Sequence, residues 1–149
     1  MKRHPLLLLI MAAALALPAG LAGCSSGEAT GAGQVPAGLL FRADSQGEVS
    51  IDATWDVADD GSIVFDIIMN THSVPLDGYD LSEVSVLRDS TGTEYRPTSW
   101  DSAPGGHHRR GMLTFPTPEA VTAGASGGFI ELVIRDIAGI SERTFRWDL

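Results

Sequence analysis

The chain has one cysteine, Cys24, and one lysine, Lys2, in 149 residues. A lone cysteine excludes an internal disulfide, so the fold must be held by its core. Basic residues are scarce: Asp and Glu number 19 against 10 Lys and Arg, giving a net charge of −9. Without a basic cluster, neither nucleic acid nor an electrostatic hold on anionic lipid is expected. The longest apolar run, Leu6 to Leu17, falls short of the roughly 20 residues that a membrane-spanning helix needs. No internal repeat is present, and no segment after this run shows a helical apolar face. No glycine-rich phosphate loop opens a helix, and no serine sits in a strand-turn-helix elbow. These absences point away from an enzyme.

The N-terminus, by contrast, is strongly patterned. Met1-Lys2-Arg3-His4 is basic, Leu6 to Leu17 is apolar, and Pro18-Ala19-Gly20 precedes Leu21-Ala22-Gly23-Cys24, which has the form of a bacterial lipobox. In proteins of this pattern a diacylglycerol is added to the cysteine sulfur, and the bond before it is cut. The expectation is a signal peptide over residues 1–23 and a lipidated Cys24 at the head of the mature chain. Each buried methylene contributes about 0.8 kcal/mol, so two or three acyl chains hold a protein to a membrane without a spanning helix. The sole thiol would then be consumed, which removes thiol chemistry from later consideration. Loss of residues 1–23 takes away Lys2 and Arg3 and no acid, making the remaining chain more acidic still.

Residues 24–38 are mostly Ser, Gly, Ala, Thr and Glu and cannot bury enough apolar surface to order themselves, as expected of a tether. From residue 39 to 149 the hydrophobic period is two. Val49, Ile51, Ala53, Trp55 and Val57 alternate with polar residues, Asp59-Asp60-Gly61 signals a turn, and Ile63, Phe65, Ile67 and Met69 continue on one face, predicting a hairpin. Further strands are predicted over 84–89, 93–97, 112–115, 129–136 and 143–149, with a turn at Ser90-Thr91-Gly92 and inward-facing Phe145, Trp147 and Leu149. About seven short strands bounded by turn residues predict an all-β, two-sheet sandwich.

The longest expected non-strand segment inside the domain, Thr98 to Arg110, gathers Trp100, Asp101, His107, His108, Arg109 and Arg110. Long loops in compact domains are often functional, so Trp100, Asp101 and Arg109 form a candidate binding loop. Arg109 and Arg110 are expected to pair with nearby acids such as Asp101. His72, His107 and His108 are all the histidines after the leader, and imidazole suits copper or zinc. Gly105 and Gly106 would let the loop turn two of them together, although the spacing matches no metal motif. Solvated loop histidines are the plainer alternative. Ser73, His72 and Asp80 supply the residue types of a catalytic triad, but neighbours on a strand point to opposite faces.

Three stretches, Asp66 to Asp80, Tyr95 to Phe115 and Glu131 to Trp147, resemble segments of a family of uncharacterised bacterial and archaeal lipoproteins. That family has immunoglobulin-like β-sandwich domains, and the likeness rests on the Asp89-Ser90-Thr91-Gly92 turn, the Tyr95 strand and the Phe115-Pro116 strand end. The resemblance implies an immunoglobulin-like sandwich on an envelope surface and no particular ligand. The function expected is a non-catalytic binding or assembly module, lipid-anchored on the extracytoplasmic side of a cell membrane or outer membrane, with an envelope protein as partner. The alternative is a copper- or zinc-binding envelope lipoprotein using His72, His107 and His108.

Overall fold

The computed structural model describes residues 40–122 and 127–149. The signal peptide expected at 1–23, Cys24 and the 24–38 tether lie outside the described residues. The strands in chain order are β1 (Phe41–Asp44), β2 (Val49–Val57), β3 (Ile63–Thr71), β4 (Ser85–Asp89), β5 (Glu94–Tyr95), β6 (Ser99–Ser102), β7 (His108–Phe115), β8 (Phe129–Ile137) and β9 (Ile140–Asp148). Two single-turn helices, α1 (Leu81–Val84) and α2 (Glu119–Thr122), interrupt them. The chain is a two-sheet β-sandwich, with a five-stranded sheet in the order β1-β2-β3-β7-β6 and a four-stranded sheet in the order β5-β4-β8-β9. If β2 is taken as strand A, these orders are A-B-E-D and C′-C-F-G, the immunoglobulin Greek key, with β1 added outside A.

The period of two accounts for the longest strands. β2 and β3 pair in register from Val49 opposite Thr71 to Val57 opposite Ile63, which puts Val49, Ile51, Ala53, Trp55, Ile63, Phe65, Ile67 and Met69 on the buried side. Their turn is set by Asp60, whose carboxylate accepts from the Ser62 amide at 2.9 Å and its hydroxyl at 2.7 Å, while Gly61 supplies a φ of +86°. The β8–β9 hairpin turns on Ala138 and Gly139, both with positive φ, the geometry that suits the twist of paired strands. Between the sheets, Phe65 meets Phe115 edge-on at 5.8 Å and Trp147 of the opposite sheet at 5.2 Å.

Of the buried charged residues Asp89, Arg109 and Arg143, the last is the most deeply buried. Arg143 on β9 donates Nη1 to the Val49 carbonyl at 2.7 Å and to Asp44 Oδ1 at 3.1 Å, and Nη2 to the Gln46 carbonyl at 2.8 Å. It thereby fastens the four-stranded sheet to the β1–β2 turn. Burial lowers its pKa, and the Asp44 carboxylate opposes that shift.

The structure corrects the expected elements in four places. Among the described residues there are nine strands where about seven are expected, because β1 and β6 are short and carry too little alternation to register as strands. The strand expected from Val84 begins at Ser85, after a helical turn whose N-cap Asp80 accepts from the Ser82 amide. The expected loop from Thr98 to Arg110 contains β6 and the start of β7, so only residues 103–107 connect them. Val57 follows the apolar alternation yet is 48% exposed, at the far end of β2.

Candidate functional site

The β6–β7 hairpin carries most of the expected site residues, and its tip is pinned to the chain that follows β3. Thr71 N donates to the His107 carbonyl and Leu76 N to the Gly106 carbonyl, both at 3.0 Å. Asp77 Oδ1 accepts from the amides of Gly105 at 2.8 Å and Gly106 at 3.2 Å. These two amide bonds hold the Asp77 carboxyl below its usual pKa. The glycines therefore serve the turn: a Cβ on Gly105 would lie 2.1 Å from the His108 carbonyl oxygen.

Arg109 was expected in a binding loop, and its place is instead inside β7 with its side chain buried. Its Nη1 donates to the carbonyls of Leu76 at 2.9 Å and Tyr79 at 2.6 Å, its Nε donates to Ser102 Oγ at 3.0 Å, and its guanidinium lies 5.6 Å from the Trp100 ring. Those carbonyls take the Nη1 donors, so Arg109 organises the 76–79 segment. Trp100 is half-buried on β6, its indole nitrogen buried without a partner. Arg110 points to the other side of the same strand and forms a two-pronged pair with Asp66, at 2.8 and 2.5 Å. Arg110 thus pairs with an acid as expected, though with Asp66 and not Asp101, whereas Arg109 is held by carbonyls and a hydroxyl.

The three histidines separate. His72 and His108 border a shallow depression of about 200 Å³ with Glu48, Ser50, Asn70 and Thr71, whereas His107 lies outside its lining. His108 Nδ1 is 2.9 Å from Asn70 Oδ1. Among the described residues, no group of three or more His, Cys, Asp or Glu side chains is close enough to hold a metal ion. The Ser73, His72 and Asp80 combination is also dispersed: the Ser73 hydroxyl donates to Glu48 Oε1 at 2.7 Å, and Asp80 caps α1.

A contrast between the two outer faces was not drawn from the sequence. On the four-stranded sheet the charges interlock: Glu94 meets Arg88 at 2.9 Å and Arg135 at 3.2 Å, Arg135 also meets Glu142 at 3.2 Å, and Arg146 meets Glu131 at 3.5 Å and Asp148 at 3.1 Å. The two arginine bonds hold Glu94 below its usual pKa. On this face Val86 and Val133 stand opposite each other in register and are buried apart from the central core.

The five-stranded sheet presents a different outer face. Its middle row runs Phe41, Thr54, Asp66, Met112, Asp101 across five strands. Phe41 is 46% and Met112 42% exposed. Asp52 and Asp56 lie on the same face, and among the described residues they and Asp101 have no cationic partner. The signal available in the sequence was Met112, a large apolar residue on the outward phase of a strand whose inward phase is Gly111, Leu113 and Phe115. No protein-family model matches the chain, and neither a curated protein nor a solved structure matches it, so the residues themselves carry the functional conclusion.

Proposed function

We propose that the protein is a non-catalytic binding or assembly module of the cell envelope, held by lipid on Cys24 on the extracytoplasmic side of a membrane. In this reading it meets its partner with the outer face of the five-stranded sheet. The observation that carries it is the contrast between the faces. Charges on the four-stranded sheet satisfy one another, and exposed pairs of that kind bind little and hold a surface neutral. The five-stranded sheet keeps unpaired carboxylates beside an exposed phenylalanine and methionine, residue types enriched where proteins meet. An acidic face with apolar centres fits a basic protein surface. The lipobox, the acyl anchor it implies and the tether composition of residues 24–38 support a domain held off a bilayer.

The test is photo-crosslinking in cells, with a benzophenone amino acid at Met112 and, as control, at Thr144 on the other sheet. Expected is a discrete adduct from Met112 and none from Thr144, with Cys24→Ser abolishing both lipid labelling and the adduct. Equal labelling of the Cys24→Ser chain would overturn the anchor, and adducts from Thr144 alone would overturn the assigned face.

A further inference from the structure

The described residues contain two sulfur atoms, and the fold treats them in opposite ways. Met69 lies on the inward phase of β3 and is 0% exposed, whereas Met112 lies on the outward phase of β7 and is 42% exposed. The register puts Met112 between Asp66 of β3 and Asp101 of β6, on the outer face of the five-stranded sheet. Val64 and Ile68, half-buried on the outward phase of β3, stand diagonal to it, within reach of a long side chain. The thioether is thus part of an apolar strip between carboxylates. It takes no part in the core, so a small reagent can change it without opening the sandwich.

We propose that Met112 is an oxidation site and that its sulfoxide switches off docking at this face. Hydrogen peroxide is the oxidant. The Met112 sulfur gives an electron pair to one peroxide oxygen, the S–O bond forms as the O–O bond breaks, and the proton of the transferred oxygen passes to the departing hydroxide, which leaves as water. Sulfur is oxidised and peroxide reduced in the same step. The product carries a polar, accepting oxygen where an apolar group stood. Its neighbours on the face do not serve it: the carboxylates of Asp66 and Asp101 are acceptors, and Arg110 is held by Asp66. A partner surface that fits the thioether meets the new oxygen with an apolar group, and closing the interface strips that oxygen of water with no bond in exchange. Sulfoxide reductases, one for each epimer, return the thioether, so the change is reversible. The docking half rests on the face assigned above; the oxidation site itself does not.

The first measurement exposes the purified full-length chain to hydrogen peroxide, followed by peptide mass spectrometry and a thermal melt. Expected is a gain of about 16 Da on the peptide holding Met112, about tenfold faster than on the peptide holding Met69, with the melt unchanged. An unmodified Met112, or equal oxidation of Met69, overturns the site. Docking is then read in isolated cell envelopes by photo-crosslinking from a benzophenone amino acid at Phe41, which shares its row with Met112. Peroxide should lower the adduct about fivefold, and added sulfoxide reductases should restore it. In Met112→Leu, which has no sulfur to oxidise, the adduct should not change with peroxide, whatever its starting yield. An adduct that survives peroxide in the chain keeping Met112, or that falls equally in Met112→Leu, overturns the switch and leaves the face assignment standing. No adduct before peroxide overturns the face assignment and the switch together, while the oxidation site stands on the mass spectra.

Discussion

Gly111 shows how a single position decides local packing. It lies on the inward phase of β7, opposite Ser102 of β6, and a Cβ there would come within 2.5 Å of Ser102 Cβ and 2.6 Å of both the Asp101 carbonyl oxygen and Trp100 Cη2. The indole thus occupies the space a side chain would take, and beside it Arg109 reaches the carbonyls of Leu76 and Tyr79. Backbone and a half-buried ring are poor candidates for yielding. Gly111→Ala should therefore destabilise by about 1 to 3 kcal/mol, the usual cost of overpacking, measured as a lower urea midpoint at unchanged slope. The same substitution at Gly92, where nothing lies within 4 Å of the added carbon, tests a different term, because its φ of +86° strains any L side chain even in open space.

At the scale of elements, β9 holds the two sheets together. Trp147 is 1% exposed, packs on Phe65 of the opposite sheet, and donates to the Leu40 carbonyl just before β1. Trp147→Ala removes the largest buried side chain and orphans that carbonyl, so a loss of about 3 to 5 kcal/mol in a denaturant titration is expected. A loss below about 1 kcal/mol would show β9 to be peripheral. This strand was legible in the sequence because Phe145 and Trp147 alternate with Arg146 and Asp148, and β2, β3 and β8 were legible by the same period of two. Strands β1 and β6 were not. In Phe41-Arg42-Ala43-Asp44 the large apolar residue faces outward, and in Ser99-Trp100-Asp101-Ser102 one half-buried indole is the only apolar signal. Pattern reports burial, and these two edge strands are ordered by pairing instead. For the same reason Arg109 read as a loop residue: sequence spacing does not reveal that the 76–79 carbonyls wait beneath it. The grouping of His72 with His108 but not His107 depended on where the short hairpin tip falls, which again only the register fixes.

At the scale of the whole molecule the excess of acid is partly built into the fold. Asp60, Asp77, Asp80, Asp89 and Glu94 all have lowered pKa values in the folded state. Ser62 acts on Asp60, the Gly105 and Gly106 amides on Asp77, Ser82 on Asp80, and Arg88 with Arg135 on Glu94. For Asp89 burial pushes upward, but bonds from the Thr91 hydroxyl, the Tyr95 hydroxyl and the Thr91 and Thr93 amides together outweigh it. Each carboxylate has a folded pKa below the unfolded one, so its contribution is complete above the ordinary values of 3.8 for Asp and 4.5 for Glu and is lost as pH falls through the lowered value. In that interval the unfolded chain binds more protons. An opposing effect is the relief of self-repulsion as an acidic chain is neutralised, but that repulsion is spread over a solvated surface and screened by salt, whereas the hydrogen bonds are local. The urea midpoint at 0.15 M salt should therefore stay level between about pH 8 and pH 5 and fall steeply below about pH 4. Asp89→Asn should lower the midpoint at neutral pH and flatten the acid limb, since the amide keeps one acceptor oxygen but no titrating group. A midpoint that rises on acidification would mean that self-repulsion, and not this set of bonded carboxylates, governs the stability of the domain.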